Sequence, residues 1–316
     1  MKTKTIRKIT ALILSLFILL VFVTACQSTG GVKKDNEAEL DFTRWNDLAV
    51  GIFKNGESSY KENKFASALH NFEWVVKFEP EWAEAYILCG NADYVTNYTS
   101  GLLSYFLWDY DKAVAINSKY QDFARGARYY HEEDYLKAIE CFDKAIRNKI
   151  NTMFAYYLCG MAYFSIDEFE KSISSLTKAI RLNPDFAPSY VHRGLAYLVS
   201  GNIDKALPDF EFAIKLNPSD GFKYKHKVLA YQLRGTAYHM MGNFSFAIDD
   251  FSQMIQIDPD DFFGYYSRGQ SYLEMRDYDN ALADIEKALQ INPEYAEAKT
   301  MRNEIQAGLR AKKAAQ

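Results

Sequence analysis

Seven glycines set the frame of this 316-residue chain. Gly56, Gly90, Gly126, Gly160, Gly194, Gly235 and Gly269 are separated by 34, 36, 34, 34, 41 and 34 residues. A period of that length marks a supersecondary unit copied along the chain, in which each copy buries its apolar face only against its neighbours. Other residues keep the same register. Four before the glycine stand Tyr86, Tyr156, Tyr190, Tyr231 and Tyr265, and three after it Tyr129, Tyr163, Tyr197, Tyr238 and Tyr272. Nine after come Phe65, Tyr135, Phe169, Phe244 and Tyr278, twelve after Ala68, Ala138, Ala206, Ala247 and Ala281, and sixteen after Phe72, Phe142, Phe210 and Phe251. Pro80, Pro184, Pro218, Pro259 and Pro293 close the unit at twenty-four.

The spacings predict two helices per unit. Tyr, Gly and Tyr separated by 4 and 3 share one face of a first helix, and the aromatic, Ala and aromatic positions share one face of a second. Gly and Ala where the faces meet let the backbones approach closely, with large rings on either side. Proline then stops the second helix. Gly201-Asn202 and Gly242-Asn243 supply the turn between the helices in two copies. With 48% hydrophobic and 25% charged residues the chain is a folding one, and the composition argues against disorder or a multi-span membrane protein. Its 16% aromatic content exceeds what a generic core needs.

The pattern closely resembles the tetratricopeptide repeat across residues 49–295. The resemblance implies an all-α, right-handed α-solenoid of about seven helix-turn-helix copies, at 49–82, 83–118, 119–152, 153–186, 187–220, 228–261 and 262–295, with 296–316 as a capping helix and tail. Three departures stand out. The second copy lacks the expected Ala and Pro and runs two residues long, which leaves its second helix in doubt. Residues 221–227, Gly-Phe-Lys-Tyr-Lys-His-Lys, are an insertion of nearly two helical turns; it reads either as an ordinary long helix or as a basic, aromatic ridge for a partner. Pro208 is expected near the first turn of its helix, where it distorts only locally.

In the family the first helices line a concave surface. The stripe opposite the Tyr-Gly-Tyr face then carries Tyr120, Phe123 and Tyr130, next Phe154, Tyr157, Met161 and Phe164, and next Val191, Leu195 and Leu198. The flanking copies are mixed, with Phe53, Glu57 and Tyr60 on one side and Gln232, Thr236, His239, Phe263, Tyr266, Gln270 and Leu273 on the other. This predicts an apolar groove that takes a protein or peptide partner, or conceivably a lipid-like molecule; the alternative is that these rings pack on neighbouring helices. Members that clamp a chaperone's terminal carboxylate would carry Lys and Asn on this stripe. Phe123 or Tyr157, and Ala127 or Met161, stand there instead, which excludes that clamp.

The N-terminus reads as an address. Lys2, Lys4, Arg7 and Lys8 precede an apolar run from Ile9 to Val23, shorter than the roughly 20 residues that a spanning helix needs. Val23-Thr24-Ala25-Cys26 resembles the bacterial lipobox, which implies cleavage after residue 25 and a lipid anchor on Cys26, followed by a polar spacer to residue 48. Several acyl chains on one cysteine give firmer membrane attachment than a single chain. Gln27 leans towards the outer membrane or cell surface, with the outer leaflet of the cytoplasmic membrane as the alternative. Losing residues 1–25 removes four cationic and no acidic side chains and moves the net charge from −4 to −8, so a nucleic-acid partner is not expected. Cys89, Cys141 and Cys159 remain, an odd number at irregular spacing that predicts small buried thiols rather than a disulfide framework.

Chemistry beyond binding has little support. His70, His131, His192, His226 and His239 are scattered among the copies, no HExxH, GxSxG or phosphate-cradling loop occurs, and the repeated glycine already has a packing role. The expectation is a non-enzymatic, membrane-tethered adaptor without a cofactor. A small-molecule receptor, such as an accessory lipoprotein of a transport system with an apolar channel, is the second reading.

Overall fold

A computed structural model describes residues 42–62, 64–97, 104–216 and 225–314. The region from Asn46 onward forms one unit, and the described residues contain helices and no strand. The helices are α1 (Phe42–Lys61), α2 (Phe65–Phe78), α3 (Ala83–Asn97), α4 (Ser104–Ile116), α5 (Gln121–His131), α6 (Tyr135–Arg147), α7 (Thr152–Ser165), α8 (Phe169–Leu182), α9 (Ala187–Val199), α10 (Ile203–Leu216), α11 (Lys225–Met240), α12 (Phe244–Ile257), α13 (Phe262–Glu274), α14 (Tyr278–Ile291) and α15 (Ala296–Ala314). A single 3₁₀ turn, Ser118–Tyr120, precedes α5.

Each anchor glycine lies where the two helices of a pair approach. A Cβ placed at Gly126 would come within 2.7 Å of the Phe142 ring, and one at Gly194 within 2.6 Å of Phe210. In six copies the partner stands sixteen residues on, with Leu176 and Ile285 taking the place of the ring in two. The second copy differs. Gly90 packs against Tyr110, twenty residues on, so four residues are added between its helices and the doubted second helix forms as α4. The Tyr110 hydroxyl donates to Asn91 Oδ1 at 2.9 Å.

Among the described residues, five of the turns inside a pair hold one residue in the left-handed region. Gly201 (φ 80°) and Gly242 (φ 74°) fill it without steric cost, while Glu133, Asp167 and Arg276, at φ 61°, 59° and 59°, occupy the same register position. Where a proline follows, the second helix ends two residues before it. Asn183, Asp258 and Asn292 are extended (ψ 94°, 90° and 89°), because the following ring disfavours helical backbone.

Pro208 is the sixth residue of α10, beyond the first turn where the sequence reading put it. It removes one hydrogen bond to Asp204, yet the helix continues. Of the insertion, Lys225–Lys227 extend α11 at its start, and 221–224 lie outside the described residues, as do the leader and Cys26. At the other end Ala298, Met301 and Ile305 of α15 are buried against Ala281 and Ile285, which is the capping role expected of a terminal helix.

The core is unequal along the array. From Phe53 to Phe186 one continuous apolar cluster joins four repeats. Beyond it the buried residues fall into smaller clusters between successive helices. A linear stack with only nearest-neighbour contacts produces the second arrangement; the first requires contacts across the concave side.

Candidate partner-binding surface

Phe186 makes those contacts. It sits in the turn before α9, is fully buried, and lies 5.1 Å from Tyr157 and 6.1 Å from Phe154, centroid to centroid. From the first repeat Tyr60 stacks on it at 6.2 Å and Phe65 meets it edge-on at 5.7 Å. Tyr94 adds edge contacts to Phe154 and Tyr157, and Asn91 and Asn151 exchange side-chain amide hydrogen bonds at 3.1 and 3.2 Å. The rings at the centre of the first four repeats therefore cover one another, while a hollow lined by Glu57, Tyr60, Phe72, Leu88, Leu182 and Asp185 stays open beside them.

This corrects the central part of the expected groove. Phe123, Phe154, Tyr157 and Val191 are at most 1% exposed, and Tyr120, Met161 and Leu198 are buried as well. They face the concave side but are core, because rings of that size offered to a narrow lumen gain more by covering one another than by meeting water. Tyr130 and Phe164 are half-buried, each against a ring of the second helix, Tyr135 and Phe169, at 5.6 Å. Leu195 is also half-buried.

The last two repeats keep the stripe accessible. Gln232, Thr236, His239, Phe263, Tyr266 and Gln270 are all half-buried. His239 Nδ1 lies 3.0 Å from Ser271 Oγ, whose hydroxyl donates to the Ser267 carbonyl at 3.1 Å. Burial lowers the His239 pKa, with Glu274 opposing. At the far end Tyr295 stands edge-on to Tyr266 and Phe262 at 4.9 and 5.0 Å. Burial, and then the Glu297 carboxylate, raise the Tyr266 pKa. Among the described residues no three His, Cys, Asp or Glu converge as metal ligands, and no helix is long and apolar enough to cross a membrane. Cys89, Cys141 and Cys159 are buried free thiols.

Two features escaped the sequence reading. Phe186 and Tyr295 belong to turns, outside the helical stripes. The second is a ladder of buried ion pairs. Arg193, Arg234 and Arg268 immediately precede their anchor glycines and hold Asp209, Asp250 and Asp284 two-pronged, at 2.6 to 2.9 Å. Each guanidinium also lies over the tyrosine three residues earlier, Tyr190, Tyr231 and Tyr265, at 5.7, 5.7 and 5.9 Å. Arg193 reaches back to Thr177 and Arg268 to Ser252, in the preceding repeat, so these two arginines staple successive copies. The repeat period contains this signal in the paired positions one before and fifteen after the glycine.

No curated protein sequence matches the chain. Models of the tetratricopeptide repeat match residues 155–186, 187–220 and 263–295. Among solved structures, the MamA protein is 25% identical over 57% of this chain and 94% of its own, with a TM-score of 0.50. MamA 41-end from Desulfovibrio magneticus RS-1 is 17% identical over 57% and 98%, at 0.51. A chain of the APC/C hetero-tetramer Cut9-Hcn1 is 17% identical over 81% of this chain at 0.58, and this chain spans 48% of its length. The protein carries tetratricopeptide repeats and folds as an α-solenoid of helix-turn-helix units.

Proposed function

We propose that the protein is a non-enzymatic scaffold, anchored to a bacterial membrane through a lipid on Cys26, that holds a protein or peptide partner on the concave face of its last two repeats. One observation carries the binding reading: the concave side of repeats one to four is occupied by Phe154, Tyr157 and Phe186, while Gln232, His239, Tyr266 and Gln270 remain half-exposed. That stripe mixes rings with uncharged donors and acceptors, the equipment for an extended or helical peptide. The rings that a small hydrophobic ligand would meet, Phe154, Tyr157 and Phe186, are already buried, which weighs against the transport reading. Support for the anchor is the order of basic residues, apolar run and Cys26.

Affinity purification of the full chain from its native membrane tests both parts. Gln232→Ala with Gln270→Ala should cut partner recovery at least fivefold while the helical circular dichroism is retained; unchanged recovery overturns the concave assignment. Cys26→Ala should abolish metabolic labelling by a fatty acid, and persistent labelling removes the anchor.

A further inference from the structure

We infer that the edge of the solenoid formed by the turns inside repeats four to seven is a second docking surface, and that its occupant is a cationic amphipathic helix of a partner protein. The edge is separate from the concave stripe, so the inference goes beyond the function proposed above.

The residues five and six after the anchor glycine end each first helix. Repeats one and three place Lys61-Glu62 and His131-Glu132 there, polar pairs of the kind a solvated edge favours. Repeats four to seven place Ser165-Ile166, Val199-Ser200, Met240-Met241 and Glu274-Met275. Of these, Val199, Met240, Met241 and Met275 are 44–59% exposed. Phe246, in the first turn of α12, is 59% exposed and leans on Tyr238 at 5.2 Å. One exposed apolar side chain is ordinary, but the same register position turned apolar in four consecutive repeats is a continuous strip, and flexible thioethers adapt to the side chains of an incoming chain.

The packing of the repeats sets the spacing of this strip. Each first helix touches the next one along, α7 with α9, α9 with α11 and α11 with α13, and near the strip His239 of α11 meets Ser271 of α13 at 3.0 Å. At the start of the strip Ile166 shares one hollow with Tyr135 and Leu136 of the preceding repeat, so neighbouring turns adjoin. Helices in contact lie about 8–10 Å apart. The apolar groups therefore recur at roughly the length of two α-helical turns, about seven residues at 1.5 Å each, and a helix laid along the edge meets every step with one apolar stripe. Charge selects the helix. Residues 165–168, 199–202, 240–243 and 274–277 carry four carboxylates, Asp167, Glu168, Glu274 and Asp277, and one cation, Arg276. The lysines that follow, Lys171 and Lys205, lie over Tyr163 and Tyr197 at 5.7 Å, and Lys171 also engages Glu168 at 3.2 Å. Such an edge attracts a basic helix and repels both an anionic bilayer and a second copy of itself.

The probe is a capped alanine-based peptide of about 22 residues, with leucine at every seventh position and lysine on either side of it. The full chain in phosphatidylcholine nanodiscs should bind it, read by fluorescence anisotropy against empty discs. Met240→Gln with Met275→Gln, at exposed positions that leave the helical circular dichroism unchanged, should weaken binding at least tenfold, and so should exchanging the peptide's lysines for glutamate. No binding, or binding that survives either change, overturns the inference. Methionine-methyl NMR of the chain without peptide tests the other occupants. Signals of Met240, Met241 and Met275 that move on adding phosphatidylglycerol vesicles assign the edge to the bilayer, movement on raising the concentration of the chain assigns it to a second copy, and either result overturns the helix. Gln232→Ala with Gln270→Ala should leave peptide binding unchanged; loss in that variant would put the peptide on the concave face and overturn the edge site.

Discussion

Tyr60 and Phe186 lie in stacked rings, 6.2 Å apart and inclined by 15°, although one belongs to the first repeat and the other to the turn that closes the fourth. Nearest-neighbour packing does not join them; only the curvature of the array does. Phe186 is fully buried and the Tyr60 hydroxyl is buried without a hydrogen-bond partner. Their substitution should therefore differ in sign. Phe186→Ala should cost about 3–5 kcal/mol in urea unfolding and speed amide exchange in α1 and α2, because the ring's contacts on both sides are lost. Tyr60→Phe keeps the ring and removes a polar atom that gains nothing in place, so stability should be unchanged or higher by up to about 1 kcal/mol. A Tyr60→Phe variant destabilised by more than this would mean that the hydroxyl has a partner in solution.

This contact also explains what the sequence could and could not disclose. The anchor glycines and the prolines were legible because each acts locally: a missing side chain admits a neighbouring ring, and a missing N–H ends a helix. The concave stripe was legible as a face. What covers it was not, since Phe186 lies in a turn, 126 residues from Tyr60, and no period connects them. The second repeat misled for a related reason. Its 36-residue spacing conceals four residues gained between the helices and two lost after them, so Tyr110 does not align with the other rings that pack on the glycine.

Glycine substitutions should separate packing from propensity. At Gly51, within α1, a Cβ meets nothing within 4 Å, and Gly51→Ala should stabilise the helix by roughly 0.5–1 kcal/mol. At Gly194 the same methyl meets the Phe210 ring at 2.6 Å. Phe210 is fully enclosed, so the pair must separate, and Gly194→Ala should cost about 1–3 kcal/mol. Thermal unfolding of both variants measures the contrast; equal shifts would remove the packing role of the anchor glycine.

The Arg193–Asp209 pair should behave as a buried unit. Its side chains are 18% and 6% exposed, with 2.6 Å between Nη2 and Oδ1. Removing Arg193 alone leaves a buried carboxylate, and Arg193→Met or Asp209→Leu should each cost about 3–5 kcal/mol, whereas the double variant should cost less than either. A double-mutant cycle by urea unfolding reads the coupling. Additive effects would show that the arginines do not staple the repeats electrostatically.

Asp109 gives the fold a pH dependence of defined sign. Burial pushes its carboxyl up to about 7, the hydrogen bond with Cys89 opposes this, and the charges of Asp93 and Glu73 add to it. In the unfolded chain the same group titrates near 3.9. Between about pH 4 and 7 the native state then holds a proton that the unfolded state has released, so stability falls as pH rises through this window and levels off above it. Asparagine cannot ionise and is close to the shape of the protonated acid. Asp109→Asn should therefore match the parent near pH 4 and exceed it at pH 8 by roughly 2–4 kcal/mol, the free energy of the pKa difference. Unfolding both proteins at pH 4, 6 and 8 isolates this group from other titrations, because only the difference between the curves is read. A difference that stays constant with pH would mean that Asp109 is ionised in the fold throughout the range.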